Sequence, residues 1–138
     1  MKNIAALIII LTWFSCQKEN AIPVNNTGDT FDPSGATLLK QGDLMGVGHT
    51  VTGHAGVYEK DGAYVILLDP YMSQNGPDLK VYLSKDIDAS EYIRLGQLKS
   101  ITGKQSYQVP GTPDLNQYNY IHIWCEKFTV VFGRAEVK

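Results

Sequence analysis

Cysteine is nearly missing from this chain: Cys16 and Cys125 are the only two in 138 residues. That excludes a small scaffold stapled by several disulfides. A surplus of charge of one sign is also missing. Twelve Lys and Arg face 14 Asp and Glu, for a formal net charge of −2, with no basic block and no acidic tail. Nothing in that balance points to nucleic acid. No apolar run reaches the ~20 residues that a bilayer-spanning helix needs. No segment holds a helical period beyond two turns. There is no internal repeat, no Ser/His/Asp order, no Gly-rich phosphate loop and no prominent carboxylate pair, so a hydrolase is not indicated.

The N-terminus has a clear pattern. Lys2 is followed by an apolar run from Ile4 to Leu11, then Thr12, Trp13, Phe14, Ser15 and Cys16. A basic start and a short apolar stretch ending in a small residue read as a signal peptide over residues 1–15. Ser15-Cys16 resembles the cleavage and lipidation site of bacterial lipoproteins, although Trp13 stands where that pattern usually has Leu. The resemblance implies that Cys16 carries acyl chains such as palmitate and anchors the mature protein in a membrane. It places the protein in the bacterial cell envelope as an outer-membrane lipoprotein, facing the periplasm or the surface. Residues 16–30 are polar and hold Asn, Thr, Gly and Pro without an apolar period, which reads as a flexible tether. Residues 31–138 then suit one domain with its own core.

From Phe31 onward, short strand-like runs alternate with turn residues. Asp32-Pro33-Ser34-Gly35 is a turn. Lys60-Asp61-Gly62 between apolar runs is a hairpin signal. Val65 to Leu68 is continuously apolar and predicts a strand covered on both sides, ended by Pro70. Leu79, Val81 and Leu83 alternate with Lys80, Tyr82 and Ser84, predicting a half-buried strand. Asp86-Ile87-Asp88 lacks the Gly and Glu of a calcium loop and reads as a solvated turn. Seven to nine such strands predict an all-β fold, an antiparallel β-sandwich or barrel.

The chain is organised around Tyr120 to Gly133. Ile121, Ile123 and Cys125 share one face of a strand, and His122 and Trp124 share the other. The apolar phase shifts after Lys127. A two-residue connection at Glu126-Lys127 would set Cys125 opposite Phe128, Ile123 opposite Val130 and Ile121 opposite Phe132. A bend in one long strand is the competing reading, because Glu-Lys lacks the Gly or Asn of favoured hairpin turns. A second slip at Gly133-Arg134 suggests a bulge.

With Cys16 acylated, Cys125 has no partner within the chain. An unpaired thiol in an oxidising compartment is buried, bound or used. Cys125 is therefore the candidate redox thiol, and a small buried hydrophobe is its structural alternative. His49, His54 and His122 are the weak metal candidates. His122 and Cys125 have opposite parity, so a copper or zinc site of the two-His-one-Cys type needs His49 or His54 to cross the sheet. The eight tyrosines and Trp124 could form a ligand platform, or simply favour strands.

Three pieces of the chain together resemble the DM13 domain, a small extracellular family. They are Gly76-Pro77-Asp78-Leu79 with Val81-Tyr82-Leu83-Ser84, the strand end from Tyr107 to Pro110, and Ile123-Trp124-Cys125-Glu126 with Phe128 and Phe132-Gly133. The resemblance spans roughly residues 31–138. It implies a β-sandwich on a secreted or tethered protein, and electron transfer through one cysteine matching Cys125. Some relatives are fused to domains that bind haem or sugars, so haem or copper is the cofactor the resemblance would admit. A redox partner protein is the implied partner, and the alternative is a surface binding or adhesion module in which Cys125 only fills the core. The exposure and neighbours of the Cys125 sulfur separate the two.

Overall fold

The fold is described by a computed structural model over residues 29–138. The expected signal peptide, Cys16 and nearly all of the tether lie outside the described residues. Among the described residues there is no α-helix. Eight antiparallel strands form the domain: β1 (Thr37–Gly46), β2 (Val51–Lys60), β3 (Ala63–Ser73), β4 (Leu79–Ser84), β5 (Tyr92–Gln97), β6 (Gln105–Gln108), β7 (Tyr120–Cys125) and β8 (Val130–Glu136). The all-β antiparallel expectation, with its seven to nine strands, is met.

The strands make one continuous sheet in the order β5-β4-β7-β8-β1-β2-β3-β6. The sheet curls until its two edge strands, β5 and β6, meet. The segment between them closes the seam: the Leu98 amide donates to Leu79 O of β4, and the Ser73 amide of β3 donates to Ile101 O. Curling leaves few unpaired strand edges and encloses one core. Ile66, Leu68, Leu79, Val81, Leu83, Ile121, Ile123 and Val137 are all fully buried in it.

Local sequence explains most of the joins. Asp61 and Gly62 both have positive φ (52° and 78°), which fits the two-residue turn between β2 and β3 and explains why Gly is placed there. Val65 to Leu68 is buried throughout, as a continuous apolar run predicts, with β2 and β6 on either side. Pro70 does not end this strand. β3 runs on to Ser73, because the register against β2 slips between Gly53 and Ala55 and passes Asp69-Pro70 in the slip.

The strand β4 also departs from expectation. Lys80, Tyr82 and Ser84, expected on a wet face, are 5%, 2% and 0% exposed. β4 lies between β5 and β7, and side chains from both cover its outer face.

The domain's first described residues are tied down by a carboxylate. Asp29 accepts hydrogen bonds from the Ser106 amide (2.6 Å) and hydroxyl (2.9 Å) of β6, the Phe31 amide (3.0 Å) and Lys99 Nζ (3.2 Å). Its side chain is 4% exposed. Burial alone would raise its pKa, but the Phe31 and Ser106 bonds and the Lys99 ammonium outweigh that and hold it at about 2.

Candidate functional site

Strand β7 carries the residues that the sequence singles out, and it does present two chemically opposite faces. It pairs with β4 on one side and β8 on the other. Ile121, Ile123 and Cys125 point into the core and are each 0% exposed. Leu79 and Val130 stand opposite Cys125 on the neighbouring strands. Cys125 is a free, buried thiol within the hydrophobic core cluster.

The chain reverses after Cys125, but not as a two-residue connection. Glu126 to Thr129 form the turn, and Thr129 takes a positive φ of 53°. Cys125 therefore faces Val130, Ile123 faces Gly133 and Ile121 faces Ala135. The expected pairings with Phe128, Val130 and Phe132 do not form. A four-residue turn moves the register, and the slip between Ile123 and Trp124 bypasses Phe132. Phe128 lies at the turn tip, 62% exposed, beneath Lys127 Nζ at 5.8 Å. It does not flank the thiol. Gly133 is required at this slip, since a Cβ there would meet Val51 Cβ at 2.7 Å.

The outer face of β7 carries Tyr120, His122 and Trp124. They continue a row of rings that crosses three strands. Tyr92 of β5 stacks on Tyr82 of β4 with centroids 4.1 Å apart and planes 9° from parallel. Tyr82 stacks with Trp124 at 6.0 Å, Trp124 meets His122 edge-on at 6.5 Å, and His122 meets Tyr120 at 6.1 Å. The separations of 6.0, 6.1 and 6.5 Å fall within the range of favourable aromatic pairs, and the Tyr82–Tyr92 pair stacks closer still. Tyr92 is 47% exposed at one end, while Tyr82 and His122 are enclosed.

Charged groups hold this row in place. The Tyr82 hydroxyl donates to Glu126 Oε1 at 2.7 Å. Arg94 grips the same carboxylate with Nε at 2.7 Å and a second nitrogen at 3.2 Å, a fork geometry suited to a carboxylate. Burial, then the Glu126 carboxylate, raise the Tyr82 pKa above its ordinary value, so the phenol keeps its proton. Arg94 first, then the Tyr82 hydroxyl, lower that of Glu126 against the opposing effect of burial. The Lys80 ammonium donates to Asp78 and to Gln97 Oε1 (3.1 Å), which is how a nearly buried charge is accommodated.

The histidines are not gathered. His122 Nε2–H donates to Ile87 O at 2.9 Å, and Nδ1 accepts from Ser84 Oγ at 2.8 Å. Burial, and then Arg134, hold its pKa below the ordinary value against the pull of the Ile87 carbonyl. His54 lies on the β1–β2 surface between Asp43 (2.9 Å) and Gln41 (3.2 Å). His49 lies in the β1–β2 loop, donating from Nδ1 to Val47 O at 3.1 Å and stacked on Phe132 at 3.8 Å. Among the described residues, no three of His, Cys, Asp or Glu come together as a group able to hold a metal. A two-His-one-Cys donor set is therefore not assembled around Cys125. Asp86 accepts from the Asp88 and Ser90 amides, so Asp86-Ile87-Asp88 is the turn its sequence suggests. Asp78 serves the strand entry: it pairs with Lys80, and its carbonyl accepts from the Glu126 amide.

Tyr82, Tyr92, Arg94 and Glu126 are the residues that sequence reasoning missed. The alternation of Leu79 to Ser84 did place Tyr82 on the face away from the core. Its partners come from strands ten and forty residues away, and no local pattern predicts that β5 and β7 flank β4.

The fold and site define a small all-β domain: a curled antiparallel sheet, one enclosed unpaired thiol, and a braced row of aromatic rings behind it. The chain belongs to the DM13 family. Residues 43–137, more than half of the chain, match the family described as "Electron transfer DM13". Neither the curated proteins nor the solved structures contain a match to this chain.

Proposed function

We propose that this chain is a lipid-anchored cell-envelope module that assists electron transfer, with Cys125 as its redox thiol and Cys16 as its acylated anchor. One observation carries the reading. In a family described by electron transfer, Cys125 is the single thiol of the domain; it is unpaired and ends strand β7 beside a chain reversal. The chemistry is thiol–disulfide exchange with a partner protein. The Cys125 thiolate attacks a partner disulfide, a mixed disulfide forms, and the partner's other sulfur leaves as a thiolate. A small-molecule thiol then attacks the Cys125 sulfur, which releases the partner's second sulfur as a thiolate. A second equivalent of that thiol attacks the new mixed disulfide and frees Cys125, so the partner disulfide is reduced and the small thiol is oxidised to its own disulfide. Because the sulfur is enclosed, the turn from Glu126 to Thr129 has to open for attack, and reactivity is gated by local unfolding of that hairpin end.

On the criterion of exposure and neighbours, the enclosure of Cys125 within the apolar core favours the second reading, a non-enzymatic surface binding or adhesion module. There the sulfur fills the core, and the aromatic face and loops contact a surface ligand. Cys125→Ser and Cys125→Ala discriminate. Under the first reading both variants abolish reduction of the partner disulfide, and the wild-type thiol is alkylated slowly, at the rate of hairpin opening. A folded wild-type thiol that resists alkylation, with partner reduction unchanged in both variants, establishes the second.

A further inference from the structure

Nothing in thiol chemistry requires the row of rings on the opposite face of β7. Its arrangement is nevertheless specific. Tyr92 is exposed, stacks at 4.1 Å on an enclosed Tyr82, and Tyr82 is in ring contact with Trp124. Tyrosine and tryptophan are among the side chains most readily oxidised by one electron without a metal. Oxidising a buried phenol is feasible only if its proton has somewhere to go. Tyr82 has a carboxylate oxygen 2.7 Å from its hydroxyl, within reach for direct transfer. Arg94 keeps that carboxylate ionised and ready to accept. An oxidised phenol is a far stronger acid than any carboxylic acid, so Glu126 accepts the proton even with Arg94 beside it.

We propose that Tyr92 and Tyr82 form a one-electron relay, with Tyr82–Glu126 as its proton-coupled station, and that its substrates are radical oxidants of the organic peroxyl class arriving at Tyr92. The step balances. One electron leaves Tyr82 through the Tyr92 ring to the peroxyl radical, which takes a proton from water and becomes a hydroperoxide. The Tyr82 phenolic proton moves to Glu126, leaving a neutral tyrosyl radical beside a neutral carboxylic acid. A quinol-class donor later returns one electron to Tyr82 and releases its own proton to water, while Glu126 gives its proton back to the phenoxyl oxygen. The net change is one hydrogen-atom equivalent moved from the quinol to the peroxyl radical.

This relay does not depend on Cys125, so it goes beyond the thiol reading and the two fail separately. The test uses the full chain, peroxyl radicals from a water-soluble azo initiator, and freeze-trapped electron paramagnetic resonance. The wild type is expected to give a dominant tyrosyl signal that Tyr82→Phe reduces severalfold. Tyr92→Phe slows its appearance, and Tyr58→Phe, a tyrosine outside the row, leaves it unchanged. Glu126→Gln keeps the ring contacts but lowers the radical yield severalfold, and circular dichroism verifies that each variant is folded. Cys125→Ala retains the signal. A tyrosyl signal equally strong in folded Tyr82→Phe, or one diminished as much by Tyr58→Phe, overturns the relay.

Discussion

The two faces of β7 both hold residues sealed from water, the inner face throughout and the outer face at His122 between the half-buried Tyr120 and Trp124, and they differ in almost everything else. On the inner face, Ile121, Ile123 and Cys125 sit in the hydrophobic core cluster and gain from burial alone. On the outer face, His122 is just as inaccessible, yet both ring nitrogens have partners. Next to it, the nearly buried Tyr82 hydroxyl has Glu126. The difference shows that burial does not define a core. Apolar atoms tolerate any dense neighbour, whereas polar atoms need specific ones. The inner face should therefore be sensitive to volume, and the outer face to the removal of partners.

That contrast can be broken by substitution. Ile123→Ala, the largest expected effect, lowers the unfolding free energy by ~2–5 kcal/mol in urea denaturation, through lost burial and a cavity. Glu126→Ala should cost about 1–3 kcal/mol by the same measurement, because it strands the Tyr82 hydroxyl. A double variant with Tyr82→Phe should recover part of that loss; equal losses with and without Tyr82→Phe would show that the hydroxyl does not matter. At Cys125 the order of two small changes is diagnostic. Cys125→Ala should cost ~1 kcal/mol, and Cys125→Ser more, since it buries a hydroxyl within the apolar core cluster.

Acid sharpens the comparison further. The folded chain resists protonating His122, whose pKa is held below 6.5, so the unfolded chain takes up that proton first. Stability should decline as pH falls below about 6.5, and His122→Gln should flatten that part of the profile. Asp29 acts in a lower window. Its contribution is complete above its ordinary value of 3.8 and is lost as pH falls towards about 2. The smallest expected effect is Phe128→Ser, within about 0.5 kcal/mol, because the ring is already in solvent at the turn tip.

Much of this contrast was legible in the sequence. The period-two parity of Tyr120 to Cys125 separates the two faces, and Asp61-Gly62 marks its hairpin, because both signals are local. The Trp-Cys-Glu segment and the proline-aspartate strand entry pointed to the family to which the chain belongs. What was illegible is non-local. The register of β8 depends on a four-residue turn and a slip at Phe132, and neither has a strict sequence signature. The enclosure of Lys80, Tyr82 and Ser84 depends on which strands flank β4. A polar residue at an outward position looks the same in sequence whether it meets water or another strand.

The Asp29 carboxylate has a mechanical consequence. It is bonded to Ser106 of β6 and to Lys99 just before that strand, so tension applied at the N-terminal side would load those bonds before it reaches the β1 ladder. Asp29 thus acts as a rivet beside the seam of the barrel, and any pull from upstream would be spread across two segments instead of falling on the first strand.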